Sequence, residues 1–313
     1  MCALAGCGTA PESPSFAGSS SPPATAVASG SASPTPSASA VAKPSRSAAP
    51  KLPTGKPSAT TTGVPKGVAL RRIDGDQTYA RAGQVIQNVD IHGYVTIKAK
   101  NVVIRNAILR GGGARCNAAV VNVASGGSVT IERSEISPSH PNACLDGIWA
   151  TNATLRRLHI HGVVDGVKAG SNVVLEDSYV HDLAWFASDP NQGGGATHND
   201  GVQTLSGAHV TLRRNVLVAY PKGNAAYQVT QDFGAVTDLH IEHNWLDGGG
   251  CTLNFAHKGG ASLTGIYVVG NRFGRHSTFR CPILVSTKTT LSANSANVWD
   301  DTGKAIPAPQ RHD

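Results

Sequence analysis

The chain has 313 residues, room for one large domain or two, with only 15% charged and 5% aromatic residues and 35 glycines. That composition favours many short strands with tight corners over a helical bundle, and no stretch approaches the roughly 20 apolar residues of a membrane-spanning helix. The formal net charge of +7 is concentrated early, because Lys43, Arg46, Lys51, Lys56 and Lys66, less Glu12, supply most of it. The mildly basic remainder suits an anionic ligand or simple solubility, and nucleic acid is not an expected partner.

At the N-terminus, Leu4-Ala5-Gly6-Cys7 resembles a bacterial lipobox. Residues 1–7 then read as the remnant of an export signal, with Cys7 lipidated and the charged start and apolar run encoded upstream of Met1. Residues 8–66 are mostly Ser, Ala, Pro, Thr and Gly. Without large apolar side chains such a segment cannot offset its conformational entropy, so a disordered stalk is expected. Stiffened by proline, at ~3 Å per residue it would reach on the order of 150 Å. The expected arrangement is a domain over residues 67–313 held outside the cell, lipid-anchored or secreted, acting as a monomer. The membrane would be contacted through the lipid alone.

From Val68 the composition changes, and a periodic pattern follows: an apolar residue, a small or polar one three places on, and an apolar one two beyond. It occurs at Ile86-Val89-Ile91, Ile104-Ala107-Leu109, Ile131-Ser134-Ile136, Leu155-Leu158-Ile160, Leu175-Ser178-Val180, Leu212-Asn215-Leu217, Ile241-Asn244-Leu246 and Val268-Asn271-Phe273. The first members are 18, 27, 24, 20, 37, 29 and 27 residues apart. An irregular period in the twenties, with strand chemistry and no helical periodicity, predicts an all-β fold, a parallel β-solenoid of about eight coils. Asn215, Asn244 and Asn271 would stack about 4.8 Å apart as an internal ladder.

The second strand of each coil places Val121, Ile148, Val167, Val202, Val229, Leu253 and Leu284 inward. Alternation points Asn122, Trp149, Lys168, Gln203, Thr230, Asn254 and Val285 outward. Such a column forms a flat lane suited to a long polymer. A phrase recurs within it as Asp146-Gly147-Ile148-Trp149, Asp165-Gly166-Val167-Lys168 and Asp200-Gly201-Val202-Gln203. The register also brings Cys116 beside Cys144 and Cys251 beside Cys281 on neighbouring coils, predicting two disulfides and an exported protein.

The coil pattern, the Asn ladder and His198-Asn199-Asp200-Gly201-Val202-Gln203 resemble the secreted, actinobacterial-type right-handed parallel β-helix proteins of the pectate-lyase-like superfamily. The resemblance covers roughly residues 67–290. It implies activity on, or binding of, an acidic polysaccharide, and leaves the reaction open. The Asn-Thr-Asp, Gly-His-Gly and Arg-Ile-Lys motifs of polygalacturonases are absent, as is the Trp-Ile-Asp-His phrase of many pectate lyases. Some calcium-dependent lyases of this superfamily pair a lysine base with an aspartate cluster.

On that likeness Asp146, Asp165 and Asp200 are candidate Ca²⁺ ligands, although corner capping by Asp-Gly explains them too. Inward parity threatens to bury them. Lys168 is the candidate base once its pKa is lowered, His198 the second candidate for proton transfer, and chelation would abolish turnover. Trp149, Gln203, Thr230 and Asn254 of the lane, with Trp185 of the long insertion 183–197, are candidate sugar contacts. His161 and His181 fall in register, a beginning of a metal site that lacks a third ligand at suitable spacing. Three classes stay open: a uronate-polymer lyase, a non-catalytic surface glycan-binding protein, and an epimerase or hydrolase on the same fold.

Overall fold

The computed structural model describes residues 55–257 and 261–312. Cys7 and residues 8–54 of the expected stalk lie outside the described residues. Within them the chain is a parallel β-helix. One sheet stacks ten strands, from Gln77–Tyr79 through Leu145–Ala150, Val167–Ala169 and Asp200–Thr204 to Gln310–His312. A seventeen-stranded sheet closes the remaining perimeter of each coil. Every pairing between named strands is parallel, and strands of the inner coils find their partners on the coils before and after them.

The ten-stranded sheet gives ten coils where the periodicity predicted about eight. The first coil, opened by Arg71–Asp74, and the last, with Ala293–Ser295 and Val298–Trp299, escaped the pattern because each has only one neighbour to bury its strands. A second correction concerns the boundary at residue 67. Residues 55–66 pack on the helix: Thr62 is buried, Gly63 N donates to Arg157 O at 2.9 Å, and Lys56 Nζ lies 3.1 Å from Asp300 Oδ2.

Inward residues of successive coils form columns, such as Ile91, Leu109, Ile136, Ile160, Val180, Leu217, Leu246 and Phe273, all of them buried. Within the stretch that each coil contributes to the seventeen-stranded sheet sits a corner with a left-handed residue. Asn88, Asn106, Arg133, Arg157, Asp177, Arg214 and His243 all have φ between 47° and 55°. That turn leaves the following N–H pointing along the solenoid axis, where the next coil must answer it. Ser134 Oγ accepts Ala107 N, Ser178 Oγ accepts Leu158 N, and Asn215 Oδ1 accepts Ser178 N. Asn244 and Asn271 continue the series and Asn297 extends it, each amide also donating to a carbonyl of an earlier coil.

Both expected disulfides are present, Cys116–Cys144 and Cys251–Cys281, each with Cα atoms 4.6 Å apart. Among the described residues no helix is long and apolar enough to cross a membrane.

The ladder makes a quantitative prediction. Asn244→Ala strands the buried Asn215 N–H and Leu212 carbonyl, and should lower the unfolding free energy by roughly 2–4 kcal/mol. Thr264→Ala, on an exposed strand position, should change it by less than ~0.5 kcal/mol. Denaturant titration of the two variants beside the parent checks the difference.

Candidate functional site

The lane forms as the alternation requires over most of its length. Asn122, Trp149, Lys168, Gln203, Gln228 and Asn254 are consecutive register partners on the ten-stranded sheet. Two positions differ from the sequence reading. Gln203 pairs with Gln228, so Thr230 stands two residues beyond the column, buried and donating to Asp232 Oδ2 at 2.8 Å. In the ninth coil Leu253 pairs with Ile283, which turns Val285 inward and Leu284 outward. Val229 and Leu284 each lie in a run of apolar residues whose parity or offset is ambiguous without the pairing.

The aspartates do not follow inward parity. The three glycines after them lie so close to the next coil that a Cβ would stand 2.3 Å from Gly166 O, 2.4 Å from Gly201 O and 2.6 Å from Ala226 O. Only glycine fits there. With alternation broken at the glycine, each aspartate and the residue three places on share one side of the sheet. Asp146 Oδ2 accepts Trp149 Nε1 at 2.6 Å, Asp165 Oδ2 lies 3.2 Å from Lys168 Nζ, and Asp200 Oδ2 accepts Gln203 Nε2 at 3.0 Å. The repeated phrase is therefore one device used three times: a buried carboxylate that holds the lane residue of its own coil.

Coils are then tied to each other. Lys168 Nζ also reaches Asp146 Oδ2 at 2.7 Å, so its ammonium lies between two carboxylates. Asp165 Oδ1 accepts Asp200 N at 2.8 Å, and Asp200 Oδ1 accepts Asn224 Nδ2 at 2.9 Å. Burial alone would depress the Lys168 ammonium, but the charges of Asp165 and Asp146 outweigh it and hold the group protonated well above the ordinary lysine range. Burial, then the charge of Asp146, pushes Asp165 up to about 7 against the pull of Lys168. Burial and Asp165 likewise push Asp200 well above the usual carboxylate range.

Two expectations are corrected by this arrangement. Lys168 is not a lysine of lowered pKa, because two carboxylates stabilise its charged form. The aspartate column does not fit Ca²⁺ either: a cation already fills the notch between Asp146 and Asp165, and both oxygens of Asp165 and of Asp200 are engaged within the protein. A Ca²⁺ ion takes six to eight oxygen ligands, which this set cannot present.

Around Lys168 lies an open cleft of about 560 Å³. The inserted loop forms one wall. Its base is clipped by Phe186 N to Thr197 Oγ1 at 3.0 Å, by Thr197 N to Phe186 O at 3.0 Å, and by Asn199 Nδ2 to Ala184 O. Asp189 caps the short 3₁₀ turn Pro190–Gln192, which presents Asn191 and Gln192 to the cleft. His198, at the foot of this loop, is exposed on the cleft wall with no hydrogen bond or ion pair to a described residue.

Trp149, Lys168, Gln203, Thr230 and His198 thus come together in the cleft, with Asp146 and Asp165 beneath them. Trp185 does not: its ring lies under Lys222, whose Nζ is 3.8 Å from the centroid, and it is outside the cleft lining. Asn254 lines a smaller pocket of about 160 Å³ further along the lane. Sequence reasoning missed Asn224, Gln228, Asp232 and the exposed Phe233, all in the cleft. Aligning Asp200–Val202 with Ala225–Tyr227 would have found the first two.

Each raised carboxyl contributes stability that is lost as the pH rises. A folded state that keeps its proton on Asp165 to about pH 7, while the unfolded chain loses it near the ordinary value, binds more protons between those limits. The contribution of Asp165 to the unfolding free energy should therefore decline across pH 4–7, opposite in sign to that of His159, which burial lowers to about 4. Asp165→Asn should flatten that decline, read by chemical denaturation at a series of pH values.

Compared with family models, with curated proteins and with solved structures, the chain matches none, so the reading of its function stands on the cleft itself.

Proposed function

We propose that this is an extracellular polysaccharide-active β-helix protein, a lyase that cleaves a uronate-containing polymer by β-elimination. The single observation that carries the reading is the Lys168 ammonium, fixed between Asp146 and Asp165 in the floor of a lane of amide side chains. Elimination across a uronate requires loss of the C5 proton, which is acidic only when the neighbouring carboxylate is neutralised. A permanent cation with amide donors on the following coils, Gln203 and Gln228, supplies that neutralisation without a metal.

In this reading Lys168 binds the substrate carboxylate and stabilises the charge that develops on it. His198, unengaged across the cleft, takes the C5 proton as general base. The C5–H electron pair becomes the C4–C5 double bond, the C4–O bond breaks, and the imidazolium returns its proton to the departing glycosidic oxygen. Trp149 and Phe233 offer ring faces to the sugars. Two disulfides support export, and the pectate-lyase-like likeness and the Cys7 anchor belong to the same proposal.

A second reading, a non-catalytic glycan-binding protein, is favoured by the internal satisfaction of the aspartate column. One experiment separates the two. Incubation with a panel of uronate polymers, followed by the ultraviolet absorbance of the unsaturated product, should show turnover of at least one polymer, unchanged by added Ca²⁺. His198→Ala should lower kcat by ~10²-fold or more, and Lys168→Met by ~10²–10³-fold with its fold verified by circular dichroism. Lys168→Arg, which keeps the charge, should lose less. Binding of a polymer with no unsaturated product from any of them selects the second reading.

A further inference from the structure

On the seventeen-stranded sheet, away from the lane, four ionisable side chains project outward from three successive coils. Glu135 is the register partner of His159, and His159 that of Tyr179. His161 and His181 follow two residues on, each on the same face as its predecessor. Their side chains are 13–28% exposed, sheltered yet open to solvent. One ligand atom each of Glu135, His159 and His161 falls within 4.8 Å of the others.

The hydrogen bonds set the tautomers. Asp182 Oδ2 lies 2.8 Å from His181 Nδ1, which therefore carries its proton there and presents a lone pair at Nε2. That lone pair receives a hydrogen bond from His159 Nε2 at 2.7 Å. The chain Asp182–His181–His159 thus fixes the His159 proton on Nε2 and leaves Nδ1 as a lone pair. This Nδ1 faces Glu135 Oε2 at 4.0 Å, an acceptor opposite an acceptor. His161 Nε2 is 3.3 Å from Glu135 Oε1. Ligand atoms on a tetrahedral Zn²⁺, with bonds of about 2.0–2.1 Å, lie about 3.4 Å apart, so the cluster needs little adjustment to hold one.

We propose that Glu135, His159 and His161 form a divalent transition-metal site that takes Zn²⁺, with solvent completing the tetrahedron and His181 and Asp182 orienting His159. Two imidazoles and one carboxylate suit a borderline ion of this class better than Ca²⁺ or Mg²⁺, which prefer oxygen alone. The ion would join the fourth and fifth coils on the seventeen-stranded sheet, whereas the cleft lies on the ten-stranded one, and the inference does not depend on the proposed function.

The test uses the whole chain, stripped of metal by a chelator and exchanged into metal-free buffer. Calorimetric titration with Zn²⁺ should show one equivalent bound, and Co²⁺ should give the visible absorption of a tetrahedral site. His161→Ala and Glu135→Gln should each weaken Zn²⁺ binding about 100-fold or more, and His181→Ala, an orienting position, about 10–100-fold. Glu135→Gln is close to isosteric, so it serves if His161→Ala folds poorly. Absence of stoichiometric Zn²⁺ binding, or unchanged affinity in His161→Ala and Glu135→Gln, would overturn the proposal.

Discussion

Everything in this molecule depends on one constraint: each coil must satisfy its backbone against the next coil at strand spacing, at the corners as well as along the faces. Along the faces the parallel ladder does this by itself. At the corners the chain turns through a left-handed residue and the ladder breaks, so side chains must replace it. The column Ser134, Ser178, Asn215, Asn244, Asn271 and Asn297 performs that replacement, a hydroxyl or amide of one coil accepting the corner N–H of the coil before. The asparagines add a second bond, to a carbonyl, and so hold the corner from both sides.

The same stacking rule creates the chemistry of the cleft. A residue repeated at one register position stands one strand spacing from its copies, and for aspartate that means like charges in a buried row. The cost is contained in three ways. Lys168 supplies a cation between Asp146 and Asp165, Asp165 keeps a proton to near neutrality, and the carboxylate of Asp200 is bonded by Gln203 and Asn224. What emerges is a lysine whose charge is fixed by its surroundings and whose position is fixed by two coils. In the proposed reading that cation neutralises the substrate carboxylate, and a lysine held protonated in this way is a poor proton acceptor.

Much of this was legible in the sequence, because apolar spacing reports directly on burial. The coils, the Asn ladder, both disulfides and the lane from Asn122 to Gln203 all follow from residues whose type is dictated by facing inward or outward. Legibility failed where a residue's type is set by something other than parity. Gly147, Gly166 and Gly201 break alternation by close approach, so the aspartates could be found but their facing could not. Ala225-Ala226-Tyr227-Gln228-Val229 offers two apolar anchors of equal parity, and Val229 was the wrong one. Trp185 lies on an irregular loop with no period to place it. Glu135 and His159 were within reach, since aligning Ile131-Ser134-Ile136 on Leu155-Leu158-Ile160 pairs them, but a polar outward residue gives no burial pattern to draw attention to it.

The central claim is that Lys168 is the substrate-carboxylate site rather than the base. It is tested most directly by a crystal structure of the His198→Ala protein soaked with a uronate oligosaccharide. The account predicts a sugar carboxylate within hydrogen-bonding distance of Lys168 Nζ, with Gln203 or Gln228 as a second donor and the C5 face turned towards position 198. An oligosaccharide bound with its carboxylates away from Lys168, or a metal ion displacing the ammonium from between Asp146 and Asp165, would contradict it.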